Sequence, residues 1–312
     1  MFYNDKDIIG VPTSLGLGST PSYVPVISSA FVVYGLTDYV GNGDNVVRLH
    51  NTGASTSERN FTEAELTDGT TYSNWLDGAS TNATRVAKLY NQLGDSDFDL
   101  QHPSSSARPL YVASENTIQF DQFGYFQYTQ LFNTGGSTKI SDAFGGNVIG
   151  SDTSIVLCAR KRDNTLYGLP ASGRTLFAIR DNVSPSYPHN VAHKAISIKS
   201  YAYSDDIAVT ARGDDYGLVV AEHHTFDHST LKTYIGEIKR NPVSGVTSTD
   251  MNLFVNNTQE VDTTTTSLDA DLDQGTLNLG DNRFIFKGAM LFNKILTTKE
   301  KALLNARMAE NY

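Results

Sequence analysis

"TLNLGDNRFIFKGAMLFNKILTTKEKALLNARMAENY", Thr276 to Tyr312, decides how the chain is read. It opens with two apolar runs, "TLNLGD" and "FIFKGAMLFNKIL", parted by turn residues. In the second run Phe286, Met290 and Phe292 share a phase and alternate with residues of the opposite face, as in one sheet of a two-layer core. Then the period changes. In "TTKEKALLNARMAENY" Thr297 and Glu300 stand three apart, the spacing of a capping box, and Leu303, Leu304, Arg307 and Met308 fall on one face. The expectation is a C-terminal helix docked by a narrow apolar stripe.

Working backwards, the pattern stays β. "MNLFVNNTQEV", Met251 to Val261, reads as a hairpin, because Asn256 and Asn257 tolerate the positive φ of a tight turn. "TSIVLCARK" and "RTLFAIRD" are expected to be paired core strands. "NVVRLHN", "RVAKLYNQ", "AISIKSYAY", "IAVTARG", "YGLVVAEHHTF" and "TLKTYIGEIKR" add further strands, and "AFVVYGLTDY" ends in the turn signal "GNGD". Ser55 to Thr84 is polar, with one or two possible helical turns. Roughly a dozen strands without alternating helices argue for an antiparallel sandwich or barrel. Residues 1–27 are Pro- and Gly-rich and read as an extended N-terminal arm, either lying on its own domain or docking on a neighbour. Residues 28–312 form the β domain.

The 312 residues suffice for a sizeable core. With 16 Tyr and 15 Phe, disorder is excluded as the default. The formal charge of −10 and the lack of any basic cluster longer than "ARKR" (Ala159–Arg162) argue against nucleic acid as a partner. No apolar run approaches the ~20 residues of a spanning helix, and the N-terminus has no basic-then-apolar secretory pattern. The lone Cys158 precludes an internal disulfide and reads as a small buried hydrophobe.

Four stretches carry a resemblance: "VAKLYNQLGDSDFDLQHPSSSARPLYV" (Val86–Val112), "NTIQFDQFGYF" (Asn116–Phe126), "MNLFVNNTQEV" and the terminal unit quoted first. In this order they resemble the concanavalin A-like, laminin-G-like jelly roll. The similarity is to the variant found in phage tail and virion proteins, which is related to the amino-terminal domain of B-type arabinofuranosidases. The resemblance covers about Ala30 to Tyr312 and implies an all-β, two-sheet antiparallel sandwich with a C-terminal helix. It does not fix function, since this fold hosts lectins, hydrolases and structural modules.

The candidate sites are few. Asp95, Asp97 and Asp99 in "YNQLGDSDFDLQHP" are a decorated turn, a calcium loop or part of a catalytic pair. "DADLDQG", Asp269 to Gly275, is a weaker calcium candidate, because its glycine is displaced from the EF-hand position. His223, His224 and His228 have a zinc spacing that means little off a helix. Trp75 with Tyr72, and Tyr201 with Tyr203, are aromatic candidates for stacking on sugars. No catalytic residue carries over from the arabinofuranosidases, although Glu222 is a lone candidate carboxylate.

The expected function is a phage virion structural protein, a tail, fibre or capsid-surface component. It displays a jelly roll that contacts host-surface glycans and associates with itself and with other virion proteins. A glycoside hydrolase and a stand-alone carbohydrate-binding module are the alternatives. Calcium is the one cofactor the sequence leaves open.

Overall fold

The computed structural model describes residues 23–53, 57–78, 84–101, 108–120, 125–127, 152–162, 174–181, 195–200, 206–212, 218–223, 226–243, 246–266, 275–280 and 284–310. The elements up to the first long strand are α1 (Val24–Ile27), β1 (Val32–Gly35), β2 (Asn45–Asn51), β3 (Ser57–Thr62), α2 (Glu63–Thr67), α3 (Thr71–Leu76), β4 (Thr84–Leu89), β5 (Leu100–Gln101), β6 (Leu110–Val112), β7 (Thr117–Gln119) and β8 (Tyr125–Gln127). Then come β9 (Thr153–Lys161), β10 (Arg174–Asp181), β11 (Ala195–Ser200), β12 (Ile207–Arg212) and β13 (Leu218–His223). The chain continues through β14 (Lys232–Val243), β15 (Val246–Val255), β16 (Thr258–Thr266), β17 (Gly275–Gly280) and β18 (Phe284–Phe292) to α4 (Thr298–Ala309).

All pairings are antiparallel. The first sheet runs β1–β18–β9–β14–β15–β16. The second runs β3–β2–β4–β5–β8–β17–β10–β11–β12–β13. The short strands β6 and β7 join them along one border, linking β4 to β18. The all-β sandwich read from the sequence is therefore the architecture. The expected pairing of "TSIVLCARK" with "RTLFAIRD" is corrected: β9 lies between β18 and β14, whereas β10 lies in the other sheet between β17 and β11. Two apolar strands adjacent in sequence face each other across the core as readily as they pair within one layer.

Ile155, Leu157 and Ala159 of β9 join Phe177, Ile196, Ile198 and Val209 of the second sheet in one buried cluster. Val156 and Cys158 point the other way, into a second cluster with Ile235, Met290, Phe292, Leu304 and Met308. Burial pushes the Cys158 thiol up to about 12, so it behaves as a hydrophobe. In β18 all nine residues are buried. The inter-sheet core covers one face and the helix cluster the other, and the strand carries a β-bulge between Phe286 and Gly288. It adds one residue to the strand and flips the alternation. Phe286 faces the inter-sheet core while Met290 and Phe292 face the helix, which corrects the shared phase expected of the three. Gly288 is required here, because a Cβ would come within 2.7 Å of the Tyr39 ring at Cε2.

The helix α4 covers this outer face. Thr297 and Glu300 form the expected capping box. The buried stripe is Lys301, Leu304, Arg307 and Met308, with Leu303 at its margin. Lys301 is the element the pattern missed. Its Nζ reaches the Glu237 carboxylate of β14 at 2.9 Å and lies 3.7 Å from the Phe254 ring centre. Both partners of that ion pair are buried. Arg307 donates to the Asp38 carbonyl at 3.0 Å and packs over the Tyr23 and Tyr39 rings. Val26 and Ile27 of α1, which precede residue 28, are buried in the second cluster. Residues 1–22 lie outside the described residues. No helix among those described is long and apolar enough to cross a membrane.

Burial holds the Glu237 carboxyl above the ordinary carboxylate range, and the Lys301 hydrogen bond and charge oppose that shift. Lys301→Met leaves an uncompensated buried carboxylate and is expected to cost about 3–5 kcal/mol in urea unfolding. In that variant the folded state holds the Glu237 proton more tightly than the unfolded chain. Its stability therefore rises as pH falls from about 7 to about 5, a gain absent from Glu237→Gln/Lys301→Met.

Candidate functional site: the cleft at the end of the C-terminal helix

The acid-rich segment is built around two amides rather than three acids. Asn91 Oδ1 accepts from the Val33 amide at 3.1 Å, and the Gln92 amide donates to the Val33 carbonyl at 3.0 Å. Gln92 Nε2 donates to the carbonyls of Gly35 (3.2 Å) and Thr37 (2.8 Å), while its Oε1 accepts from the Tyr39 amide at 2.8 Å. Both side chains are buried. They satisfy backbone groups along β1 and the turn that follows it, groups that would otherwise be buried without partners. The acids serve this latch. Asp99 is buried, accepts from the Asn91 amide at 2.8 Å and pairs with Lys88 at 2.7 Å. Burial raises its pKa against the pull of Lys88. Asp95 accepts from the Asp97 amide at 3.0 Å, opening a single 3-10 turn at Ser96–Phe98. Asp97 is half-buried. Among the described residues no group of three His, Cys, Asp or Glu side chains is placed to hold a metal ion.

The other candidates disperse. Tyr201, Tyr203, His224 and Asp269 to Gln274 lie outside the described residues, and His228 is exposed on a loop. Glu222 sits in β13 opposite Ala208. Tyr72 is not the exposed stacking ring expected of it. The ring is buried, its hydroxyl shares a 2.9 Å hydrogen bond with Thr84 Oγ1, and it packs edge-on against Tyr111. Trp75 is half-buried, with its ring edge-to-face against Phe61 at 5.2 Å.

These two rings anchor α3 beside a cleft of about 1090 Å³. It lies past the end of α4, at Met308 and Ala309, where helical cover of the first sheet runs out. Tyr72, Ser73 and Leu76 of α3 line one wall, the turn Ala113–Asn116 another, and Ser229 to Leu231 a third. Leu66, Thr67 and Gly69, together with Arg160 of β9 and Lys287, the bulged residue of β18, complete the lining. Its size is just above the ~300–1,000 Å³ typical of small-molecule sites.

The polar groups are held in place. Arg160 Nη2 meets both oxygens of Glu115, at 2.9 and 3.2 Å, and its Nη1 donates to the His228 carbonyl at 3.3 Å. Asn116 has φ +46° and accepts from the Tyr111 hydroxyl at 3.3 Å. Asp227 organises the third wall. Its carboxylate accepts from the Ser229 and Thr230 amides and hydroxyls and pairs with Lys232 at 3.0 Å. The Ser229 hydroxyl is the largest of the effects that hold Asp227 well below the usual carboxylate range. Lys287 is almost fully buried and donates to the Glu310 carbonyl at the end of α4. Burial pushes its ammonium below the ordinary lysine range. Sequence reasoning missed this assembly. Arg160 lay within the noted "ARKR", and "DHST" around Asp227 is a local Asp–Ser/Thr turn signal.

No protein-family model matches the chain, and no curated protein matches its sequence. Solved structures are similar in fold. One is a GH54 α-L-arabinofuranosidase soaked with a cyclic sulfate inhibitor, at 8% identity and TM-score 0.49, covering 90% of this chain and 62% of that one. Another is the botulinum neurotoxin serotype D ligand-binding domain in complex with N-acetylneuraminic acid, at 8% identity and TM-score 0.45, covering 91% and 52%. A third is the serotype G binding domain, at 9% and 0.43, covering 84% and 51%. The chain thus spans about half to three-fifths of the length of these solved chains.

The amide latch is testable against the metal-loop alternative. Gln92→Leu orphans three backbone groups and is expected to cost about 2–4 kcal/mol, whereas Asp97→Ala stays within about 0.5 kcal/mol. Melting curves with millimolar calcium or with chelator should coincide. A calcium-dependent rise that Asp97→Ala abolishes overturns this assignment.

Proposed function

We propose that the chain is a glycan-recognising β-sandwich displayed on a phage virion, as part of a tail, fibre or capsid surface, and that the cleft is its sugar site. The observation that carries the sugar site is the make-up of the cleft. Apolar side chains of Leu66, Leu76, Leu231 and Met308 alternate around it with the hydroxyls of Ser73, Ser114, Ser229 and Thr230, the Asn116 amide and the Arg160–Glu115 pair. A sugar offers the same mixture, apolar ring faces rimmed by hydroxyls that both donate and accept. The virion setting is supported by the resemblance of the four sequence stretches. Glycoside hydrolysis is the alternative and calls for two carboxylates facing across the sugar. Among the described lining residues Glu115 is the one carboxylate.

A glycan array with the full chain tests the site. Binding is expected, and Ser73→Trp, which fills the cleft from an exposed position on α3, should abolish it without lowering the melting temperature. Binding unaffected by Ser73→Trp removes the cleft from this role. Aryl-glycoside panels are expected to show no turnover. For the virion setting, light scattering should find an oligomer for the full chain and a monomer for a chain beginning at Tyr23. That start keeps the buried Val26 and Ile27, so a loss of assembly reports on residues 1–22 and not on unfolding.

A further inference from the structure

We infer that the sugar taken by the cleft carries a carboxylate, and that Glu115 occupies on Arg160 the place this carboxylate takes. The inference rests on the glycan-recognition reading above.

The chain is acidic, with 34 Asp and Glu against 24 Lys and Arg. The cleft reverses that balance. Its charged described lining residues are Arg160, Lys287 and Glu115. The two cations stand on adjacent strands, since Arg160 is paired with Ile285 and Lys287 follows two residues later as the bulge. Without the bulge only one of Lys287 and Gly288 would face the helix side. With it Gly288 receives the Tyr39 ring and Lys287 reaches the cleft. The low-polarity surroundings of the Lys287 amine strengthen its attraction for a nearby anion.

Arg160 shows what it is built to hold. One guanidinium nitrogen meets both oxygens of a carboxylate while the other donates to the His228 carbonyl, and such charge-assisted contacts are stronger to a carboxylate than to a neutral hydroxyl. The carboxylate now in place is a weak occupant. Glu115 comes from the short β6–β7 turn and its side chain is 45% exposed. Pairs this exposed contribute little, so exchanging Glu115 for a ligand carboxylate costs only about two- to fivefold in affinity. Glu115 can swing into solvent, and the hydroxyls of Ser114, Ser229 and Thr230 remain for the rest of the sugar.

The test uses calorimetric titration of the full chain with two matched pairs of probes. One is 3′-sialyllactose and lactose, and the other is a hexuronate tetrasaccharide and its carboxyl-reduced form. In at least one pair the acidic member should bind about tenfold or more tightly than the neutral one. Glu115→Gln should widen the ratio of acidic to neutral affinity about two- to fivefold. A purely structural Arg160–Glu115 pair gives no such gain. Arg160→Gln should erase the preference, bringing the acidic member down to the affinity of its neutral partner. Equal binding of acidic and neutral members, or no gain in Glu115→Gln, overturns the inference and leaves glycan recognition standing. Neutral binding with no acid preference that Ser73→Trp abolishes has the same meaning. No binding of any probe by folded protein overturns both.

Discussion

Three neighbouring strands of the first sheet have almost no wet face. β1, β18 and most of β9 are buried along their length, with the inter-sheet core on one side and α4 with α1 on the other. An antiparallel sheet commonly leaves one face to water, and its strands then alternate apolar and polar. Here that alternation is lost, and the chain must supply a cover. The helix stripe, the α1 turn and the buried Glu237–Lys301 pair all follow from that requirement. The ion pair is also the means by which a polar helix residue can lie against the sheet, because each charge neutralises the other where water is excluded.

A cover of finite length has an end, and the functional geometry lies there. Past Ala309 the outer face of β9 and β18 is no longer roofed by α4, and the residues change character at that line. Val156, Cys158, Met290 and Phe292 are apolar beneath the helix, whereas Arg160 and Lys287 are cationic beyond it. Lys287 belongs to both regimes. Its amine hydrogen-bonds the last carbonyl of the helix region, a favourable place for a cation. The same amine lines the cleft. Closing the helix and charging the cleft are therefore one act of the bulge.

Much of the layer architecture was legible because it is written in local signals. Asn256 and Asn257 do adopt positive φ, 47° and 68°, at the hairpin. Thr297 and Glu300 do form the box. Strand existence was readable from apolar runs, and "NVVRLHN", "TSIVLCARK" and "RTLFAIRD" match β2, β9 and β10. What escaped depends on pairing or on polar character. β3, "SERNFT", is a strand whose exposed residues hide the alternation. The bulge at Lys287 leaves no trace in the composition of "FIFKGAMLF". The cleft joins residues from six separate parts of the chain, so no spacing along the sequence could announce it.

The acid-rich segment shows why a conspicuous cluster can mislead. Alternating Asp95, Asp97 and Asp99 catch the eye as a ligand set, yet the energetic weight rests on Asn91 and Gln92 beside them. A carboxylate can accept but not donate, so it cannot satisfy both the amide and the carbonyls of a neighbouring backbone. An amide does both. Gln92 uses its oxygen on Tyr39 and its nitrogen on Gly35 and Thr37, so one side chain closes the turn leading from β1 to Tyr39. Tyr39 in turn lies over Gly288 and under Arg307. The latch therefore reaches, through packed side chains, to the bulge that sets Lys287 in the cleft. The segment first read as a possible site acts one step removed from one, holding the frame on which the cations stand.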